Sequence, residues 1–209
     1  MLPFEKELSF YGLHQPTPDE QASVANITGD LPTIFREELD FDFDQMTIEA
    51  KKFVDKFNSE QLTIFQRIMQ EVKLGKGKCF FLKARGGCGK TFLLTGLLKS
   101  VRCMEQPGCV ALATATTGKA AMHLPGGRTF HSRFKAPLNP AENDTLNIKL
   151  QSDLAQLIRA AKVIVIDEVT MMDNFLLKAM EESLRDIMQT QVVFGGKVSD
   201  FSFLFQVIH

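Results

Sequence analysis

The chain has 209 residues, a hydrophobic fraction of 44% and a formal net charge of −1. That is enough apolar material to close one core without disulfide or metal staples. The near-zero charge excludes a globally basic nucleic-acid binder, so a polyanionic partner has to be held by a local patch.

Residues 1–45 are punctuated by Pro16, Pro18, Gly29 and Pro32, and Glu37–Asp44 alternates acids with large apolar residues. They read either as a partly ordered N-terminal arm laid against the core or as an acidic contact strip for a partner. The first residues, MLPFEKELSF, lack the apolar segment of a secretory signal. No apolar stretch reaches membrane-spanning length, so a soluble intracellular protein without a membrane partner is expected. Helical spacing of Phe53, Leu62, Phe65, Ile68 and Met69 predicts helices over 47–57 and 59–73, with Ser59 capping the second. The apolar run 78–83 predicts a buried strand, followed by a glycine-rich turn and a helix over 92–101. A second strand is expected at 109–114, then a small-residue helix at 117–124 ended by Pro125-Gly126-Gly127. A helix at 152–161, a third strand at 163–167 and a helix at 173–188 complete the pattern. Alternating apolar strands and helices predict an α/β fold, a parallel sheet covered by helices on both faces, over residues 46–209.

The four cysteines, Cys79, Cys88, Cys103 and Cys109, form no CxxC pair and have no histidine at ligand spacing. Cys79 and Cys109 lie in apolar runs and read as buried thiols in a reducing compartment.

The turn Ala84-Arg85-Gly86-Gly87-Cys88-Gly89-Lys90-Thr91 matches the last three positions of the P-loop pattern, with Ala84 where the first glycine normally stands. A glycine-rich turn that merely caps a helix gives the same string. The apolar strand before it and the helix after it favour a phosphate cradle, in which loop amides and the helix N-terminus face the anion. Gly86, Gly87, Cys88, Gly89, Lys90, Thr91 and Phe92 are the candidate nucleotide-binding residues, Lys90 reaching the β- and γ-phosphates and Thr91 ligating Mg²⁺. The strand 163–167 delivers Asp167 and Glu168 at its C-terminal end. In a parallel sheet that is the edge carrying the P-loop, so Asp167 is the second candidate Mg²⁺ residue and Glu168 the candidate catalytic base. Mg-ATP hydrolysis is the expected chemistry, with Lys90 and Glu168 catalytic. Cys88, beside Lys90 at a helix N-terminus, reads equally as a reactive thiol or as an inert small loop residue.

Residues 117–135 contain Lys119, His123, Arg128, His131, Arg133 and Lys135 without an acid, interleaved with Phe130 and Phe134. Cations can track phosphates and aromatics can stack on bases, and a solvated basic loop over two core phenylalanines gives the same pattern. For Phe130 and Phe134 individually, core packing is the better reading, and His131 serves equally as a structural hydrogen bonder.

Together these segments resemble the PIF family of superfamily 1 (1B) DNA helicases, including the helicase parts of Helitron-type mobile elements. Carrying the resemblance are Asn58-Ser59-Glu60-Gln61, the P-loop, Thr116–Ala121, Gly126–Phe134 and Asp167–Met172, within a span of about residues 57 to 197. It implies a RecA-like first motor domain, with Gln61 reading the adenine edge. It also implies that Thr117, Gly118, Lys119, Arg128, Thr129, His131 and Arg133 line a single-stranded DNA track. The implied activity is ATP-dependent 5′-to-3′ DNA unwinding, with roles in repair, recombination and telomere maintenance in the nucleus.

Such motors bind ATP between two RecA-like domains, the second supplying an arginine, and nothing in these residues resembles that second domain. Mg-ATP binding is therefore expected of these residues, and unwinding is expected to need a second motor domain from another polypeptide. The alternatives are a catalytically incomplete nucleotide-binding fragment and a P-loop ATPase of another class. The family's γ-phosphate-sensing glutamine follows a Phe-Gly-Gly-Lys segment, present here as Phe194–Lys197. After it, either Ser199-Asp200-Phe201 is an early copy of the sensor motif or Gln206 fills the glutamine's place.

Overall fold

The computed structural model describes residues 31–75, 78–84, 87–105, 108–196 and 201–206. Residues 1–30, with Pro16, Pro18 and Gly29 of the expected arm, lie outside the described residues. So do Arg85 and Gly86 of the loop, and Ser199 and Asp200 of the first sensor reading.

Five strands form one all-parallel sheet in the order β1-β5-β4-β2-β3: β1 (Cys79–Ala84), β2 (Ala111–Ala115), β3 (Arg128–Thr129), β4 (Val163–Asp167) and β5 (Phe201–Gln206). Every residue of β2 and of β4 is buried. Two apolar clusters, one on each face, explain why these strands read as continuous apolar runs. Ala111, Ala113, Val163 and Val165 pack towards α3 (Ser59–Leu74) and α4 (Lys90–Arg102). Their alternating neighbours Leu112, Ile164 and Ile166 pack towards α7 (Asp153–Ala160) and α8 (Asn174–Met188).

Between residue 31 and the sheet lie two further helices, α1 (Thr33–Leu39) and α2 (Phe43–Val54). The spacing of 47–57 placed the second four residues late. Asp42 caps it by accepting the Gln45 N–H at 2.9 Å, which draws Phe43 and Asp44 into the first turn. Helix α1 was not foreseen: its apolar positions Ile34, Phe35 and Leu39 pack on the α7–α8 cluster, a contact that local spacing does not announce. The cap of α3 is Asn58 rather than Ser59. Its side chain accepts from the Gln61 N–H, and the Gln61 side chain accepts from the Asn58 N–H in a capping box.

Downstream of β2, α5 (Gly118–Met122) is shorter than the small-residue run suggested. The chain turns at Gly127, where a Cβ would lie 2.0 Å from the Ala121 carbonyl oxygen, so only glycine permits the approach. The segment 130–134 is helical as well, forming α6 (Phe130–Phe134) with Thr129 as its N-cap. Phe130 and Phe134 have no exposed surface and their rings lie 5.0 Å apart, so both are core residues. No helix among the described residues is long and apolar enough to cross a membrane.

Candidate functional site

β1 leads into the glycine-rich loop, which ends with Gly87 (φ 77°) and Gly89 (φ 76°) in the left-handed region. Gly89 is the N-cap of α4, and no side chain caps it. The first helical hydrogen bond runs from the Leu93 N–H to the Gly89 carbonyl, so the turn ahead of it presents its amides at the mouth of the loop. Lys90 and Thr91 occupy that turn, both half-buried. Phe92 is there too, but its ring packs on Phe53 (4.8 Å) and edge-on to Phe57 (5.6 Å). Its side chain therefore anchors α4 to α2, and its backbone amide is what faces the loop mouth.

Gln61 reaches the same place from α3. Its Nε2 donates to the Cys88 carbonyl at 3.3 Å and to the Gly89 carbonyl at 3.5 Å, while its Oε1 serves the capping box. A side chain at position 89 would lie 2.6 Å from that amide nitrogen. Cys88 is exposed. The other thiols differ: Cys109 is buried, and burial pushes the half-buried Cys79 up to about 12.

Across the sheet, β4 ends at Asp167, buried, with Glu168 half-buried directly after it. Burial raises the Asp167 carboxyl above its ordinary range and the Glu168 charge adds to that. The Glu168 N–H, bonded to Oδ1 at 2.9 Å, and the charges of Lys90 and His123 pull the other way. Glu168 takes a left-handed backbone (φ 57°, ψ 35°), uncommon for a residue with a side chain and typical of functional turns. Three threonines at the end of β2 hold this turn. Thr114 Oγ1 donates to the Val165 carbonyl (2.7 Å), Thr116 Oγ1 to the Glu168 carbonyl (2.9 Å) and Thr117 Oγ1 to Glu168 Oε2 (2.8 Å). The sequence reading missed Thr114 and gave Thr116 no part in holding this turn, although threonines ending a strand beside an acidic strand end are a readable signal.

The parallel register puts Ala84, Gln206, Asp167 and Ala115 all at the C-terminal ends of their strands. Gln206 pairs with Ala84, between the loop strand and the acidic strand. Phe201 pairs with Cys79 and Ile164, at or near the opposite ends of those strands. Of the two sensor readings, only Gln206 therefore lies on the edge that carries the phosphate loop.

The basic segment divides. Gly118 and Lys119 are exposed at the start of α5, and Thr117 caps that helix by accepting the Ala120 N–H at 3.2 Å. Thr129 is half-buried, His131 is half-buried edge-on to Phe130, and Arg128 is exposed but pairs with Glu37 of α1 at 2.6 Å. Arg133 departs from its expected place on a DNA track: it is 2% exposed and bonded to Glu38 of α1 at 2.5 Å. Glu38 also faces the buried Arg102 at 3.7 Å. A guanidinium enclosed in this way cannot reach a phosphate, and its role is structural. The signal for this pairing was the acid-free stretch 117–135 set against the acidic run at 37–44.

The sequence profile of the PIF1-like helicase family matches residues 56–208. Among curated proteins, the chain is 32% identical over 141 residues to ATP-dependent DNA helicase PIF1 of Candida albicans, covering 66% of this chain and 15% of that protein. It is 35% identical over 121 residues to ATP-dependent DNA helicase PIF3 of Trypanosoma brucei brucei, covering 58% and 14%. Among solved structures, Pif1 helicase from Bacteroides in complex with ADP-AlF3 and ssDNA is 28% identical with a TM-score of 0.53, covering 68% of this chain and 31% of that one. A structure described as two coordinating Pif1 helicases at forked dsDNA is 26% identical with a TM-score of 0.56, covering 72% and 33%. The chain thus spans about a seventh of these curated relatives and a third of these structures, and its sheet is the RecA-like P-loop fold they share. By the profile that matches most of its length, and by a phosphate loop and acidic strand end set on one sheet edge, the chain belongs to the PIF1-like helicase family.

Proposed function

We propose that this chain is the first motor domain of an ATP-dependent DNA helicase, binding Mg-ATP at the loop of β1 and single-stranded DNA along the segment after β2. One observation carries the reading. Thr117 begins the exposed Gly118-Lys119 segment and is hydrogen-bonded to Glu168, so the proposed track and the proposed base are adjacent. In hydrolysis the water oxygen bonds to the γ-phosphorus, the β–γ bridging oxygen leaves with its electron pair on ADP, and Glu168 takes the water proton. Lys90 and the amides of the α4 turn hold the phosphates. Gln61, already on the loop carbonyls, is the proposed reader of the adenine edge, and the register of β5 favours Gln206 as the γ-phosphate sensor.

Thr91 and Asp167 fit a magnesium ion. They offer a hydroxyl and a buried carboxylate, both hard oxygen donors of the kind magnesium takes. Bound there, the ion would neutralise charge building on the phosphate oxygens. Lys119, Arg128, Thr129 and His131 are the proposed DNA contacts, together with Thr117 and Gly118. The proposed partners are single-stranded DNA and a second motor domain. By analogy with the relatives, the proposed setting is intracellular and nuclear, with 5′-to-3′ unwinding in repair, recombination and telomere maintenance.

The test is ATP hydrolysis by the purified chain, with and without oligothymidylate, beside Glu168→Gln. DNA-stimulated turnover that the substitution abolishes is the expected result. Nucleotide binding without turnover under either condition supports the second reading, a catalytically incomplete fragment, which the short span relative to the relatives favours. Absence of both nucleotide and DNA binding overturns the proposal.

A further inference from the structure

Resting on that reading, we propose that Thr117 is a positioning residue whose single hydroxyl proton is shared between Glu168 and the DNA backbone, so that DNA binding releases the base for hydrolysis. A threonine hydroxyl has one proton to donate and two lone pairs to accept with. In this structure the proton goes to Glu168 Oε2 at 2.8 Å, and the acceptor side takes the Ala120 N–H that starts α5. The hydroxyl's one proton is thus committed to Glu168. Thr117 is half-buried, within reach of solvent, and is followed by the exposed Gly118 and Lys119 of the proposed track. A backbone phosphate oxygen arriving there is an acceptor of the same kind as the carboxylate. One proton cannot serve both.

Among the described residues, the other hydrogen bonds of Glu168 are made by its backbone. The Glu168 carbonyl accepts from Thr116 Oγ1 at 2.9 Å and from the Met171 N–H at 3.0 Å, and its N–H is spent on Asp167. These bonds keep the left-handed turn in place whichever acceptor Thr117 serves, so the side chain can be released without unmaking the strand end. While the hydroxyl donates to it, that carboxylate oxygen is held against the end of β2. Once the hydroxyl turns to a phosphate, that oxygen is free to take the proton of the attacking water. This makes hydrolysis conditional on an occupied track, and Thr117 acts through Glu168 without touching the reacting atoms.

The deciding comparison is Thr117→Val, which keeps the shape and removes the proton, with Thr117→Ser, which keeps it. A charge-assisted hydrogen bond shifts an equilibrium by roughly ten- to a hundredfold. Thr117→Val is therefore expected to raise DNA-free hydrolysis by about tenfold or more and to lose most of the stimulation by oligothymidylate, whereas Thr117→Ser, which restores the proton, is expected to rescue the stimulation. Loss of the helix cap alone would lower both rates in parallel and leave their ratio intact, and that outcome overturns the proposal.

A second readout needs no turnover. In protein carrying ¹³C-labelled glutamate, the Glu168 carboxyl resonance, identified by its absence in Glu168→Gln, is expected to move when oligothymidylate binds the wild type and Thr117→Ser. In Thr117→Val it is expected to stay where it is. DNA binding to the wild type without movement of that resonance overturns this proposal alone. Failure of DNA to bind at all overturns the proposed DNA track, and this inference with it.

Discussion

Glu38→Gln tests whether the N-terminal helices are part of the fold's electrostatic closure. The Glu38 side chain is 4% exposed, and its carboxylate faces Arg133 (1%) at 2.5 Å and Arg102 (5%) at 3.7 Å. Burial pushes both guanidiniums below their ordinary range, and the Glu38 charge is the largest influence pulling each back up. Carbonyls help: Arg102 donates to Ala111 O at 3.0 Å and Arg133 to Gly126 O at 3.4 Å. They carry no charge, however, and three guanidinium nitrogens, Arg102 Nε and Arg133 Nε and Nη1, have no hydrogen-bond partner among the described residues.

Replacing the carboxylate by an amide of the same shape leaves two buried cations facing one another. Removing one partner of a buried ion pair costs roughly 3–5 kcal/mol. For a domain of this size that corresponds to a Tm lower by about 6–20 °C. The assay is thermal unfolding by circular dichroism at neutral pH without nucleotide. Glu37→Gln is the control, since its pair with Arg128 is about half exposed at both ends and worth about 1 kcal/mol at most. Adding Arg133→Met to Glu38→Gln removes one stranded charge and is expected to recover part of the loss. A Glu38→Gln protein that melts within a degree or two of Glu37→Gln would refute the reasoning and show that the cluster is solvated.

The same ion pairs sort the basic residues by their effect on DNA. Lys119→Ala and Arg128→Ala are each expected to reduce the slope of log affinity against log salt by about 0.7 for a single strand, whereas Arg133→Met leaves the slope unchanged. Glu37→Gln, which frees Arg128, is expected to tighten oligothymidylate binding at low salt, and equal or weaker binding would count against Arg128 as a contact. For Asp167 the folded-state carboxyl lies above its ordinary range, so its ionised form destabilises the nucleotide-free protein. That destabilisation is absent well below the ordinary value and develops as pH rises through it towards the folded value. Asp167→Asn is therefore expected to melt higher than the wild type at pH 7, with the gap closing in acid, and to lose magnesium-dependent nucleotide affinity. A variant no more stable at pH 7 would contradict this. Exposed Cys88 in the loop is expected to be alkylated by a maleimide with loss of nucleotide binding, and Mg-ADP is expected to slow the reaction. Equal rates with and without nucleotide would make it a passive loop residue.

Much of the candidate nucleotide site was legible because its chemistry is local. A glycine-rich turn between an apolar strand and a helix can do little other than expose amides, so Gly87, Gly89, Lys90 and Thr91 lie where the motif put them. β4 likewise had to be central, because four consecutive apolar residues ending in two acids read as a strand covered on both faces. Partnership between distant segments was not legible. Arg128 and Arg133 stand five residues apart in one basic run, yet one meets solvent and the other the interior. Position on a short helix and the approach of α1 from nearly a hundred residues away decide which.

Thr117 read as a residue of the track, and only the register of β2 against β4, with Ala115 opposite Asp167, brings its hydroxyl onto Glu168. Gln206 and Phe201 were equal in sequence, and strand direction separated them, placing one at the phosphate edge and the other at the far side of the sheet. Backbone chemistry and periodicity act over a few residues, so the sequence by itself determined the motifs and the fold class. Charge neutralisation and hydrogen-bond pairing act through space, so only the tertiary structure decided which side chain answers to which.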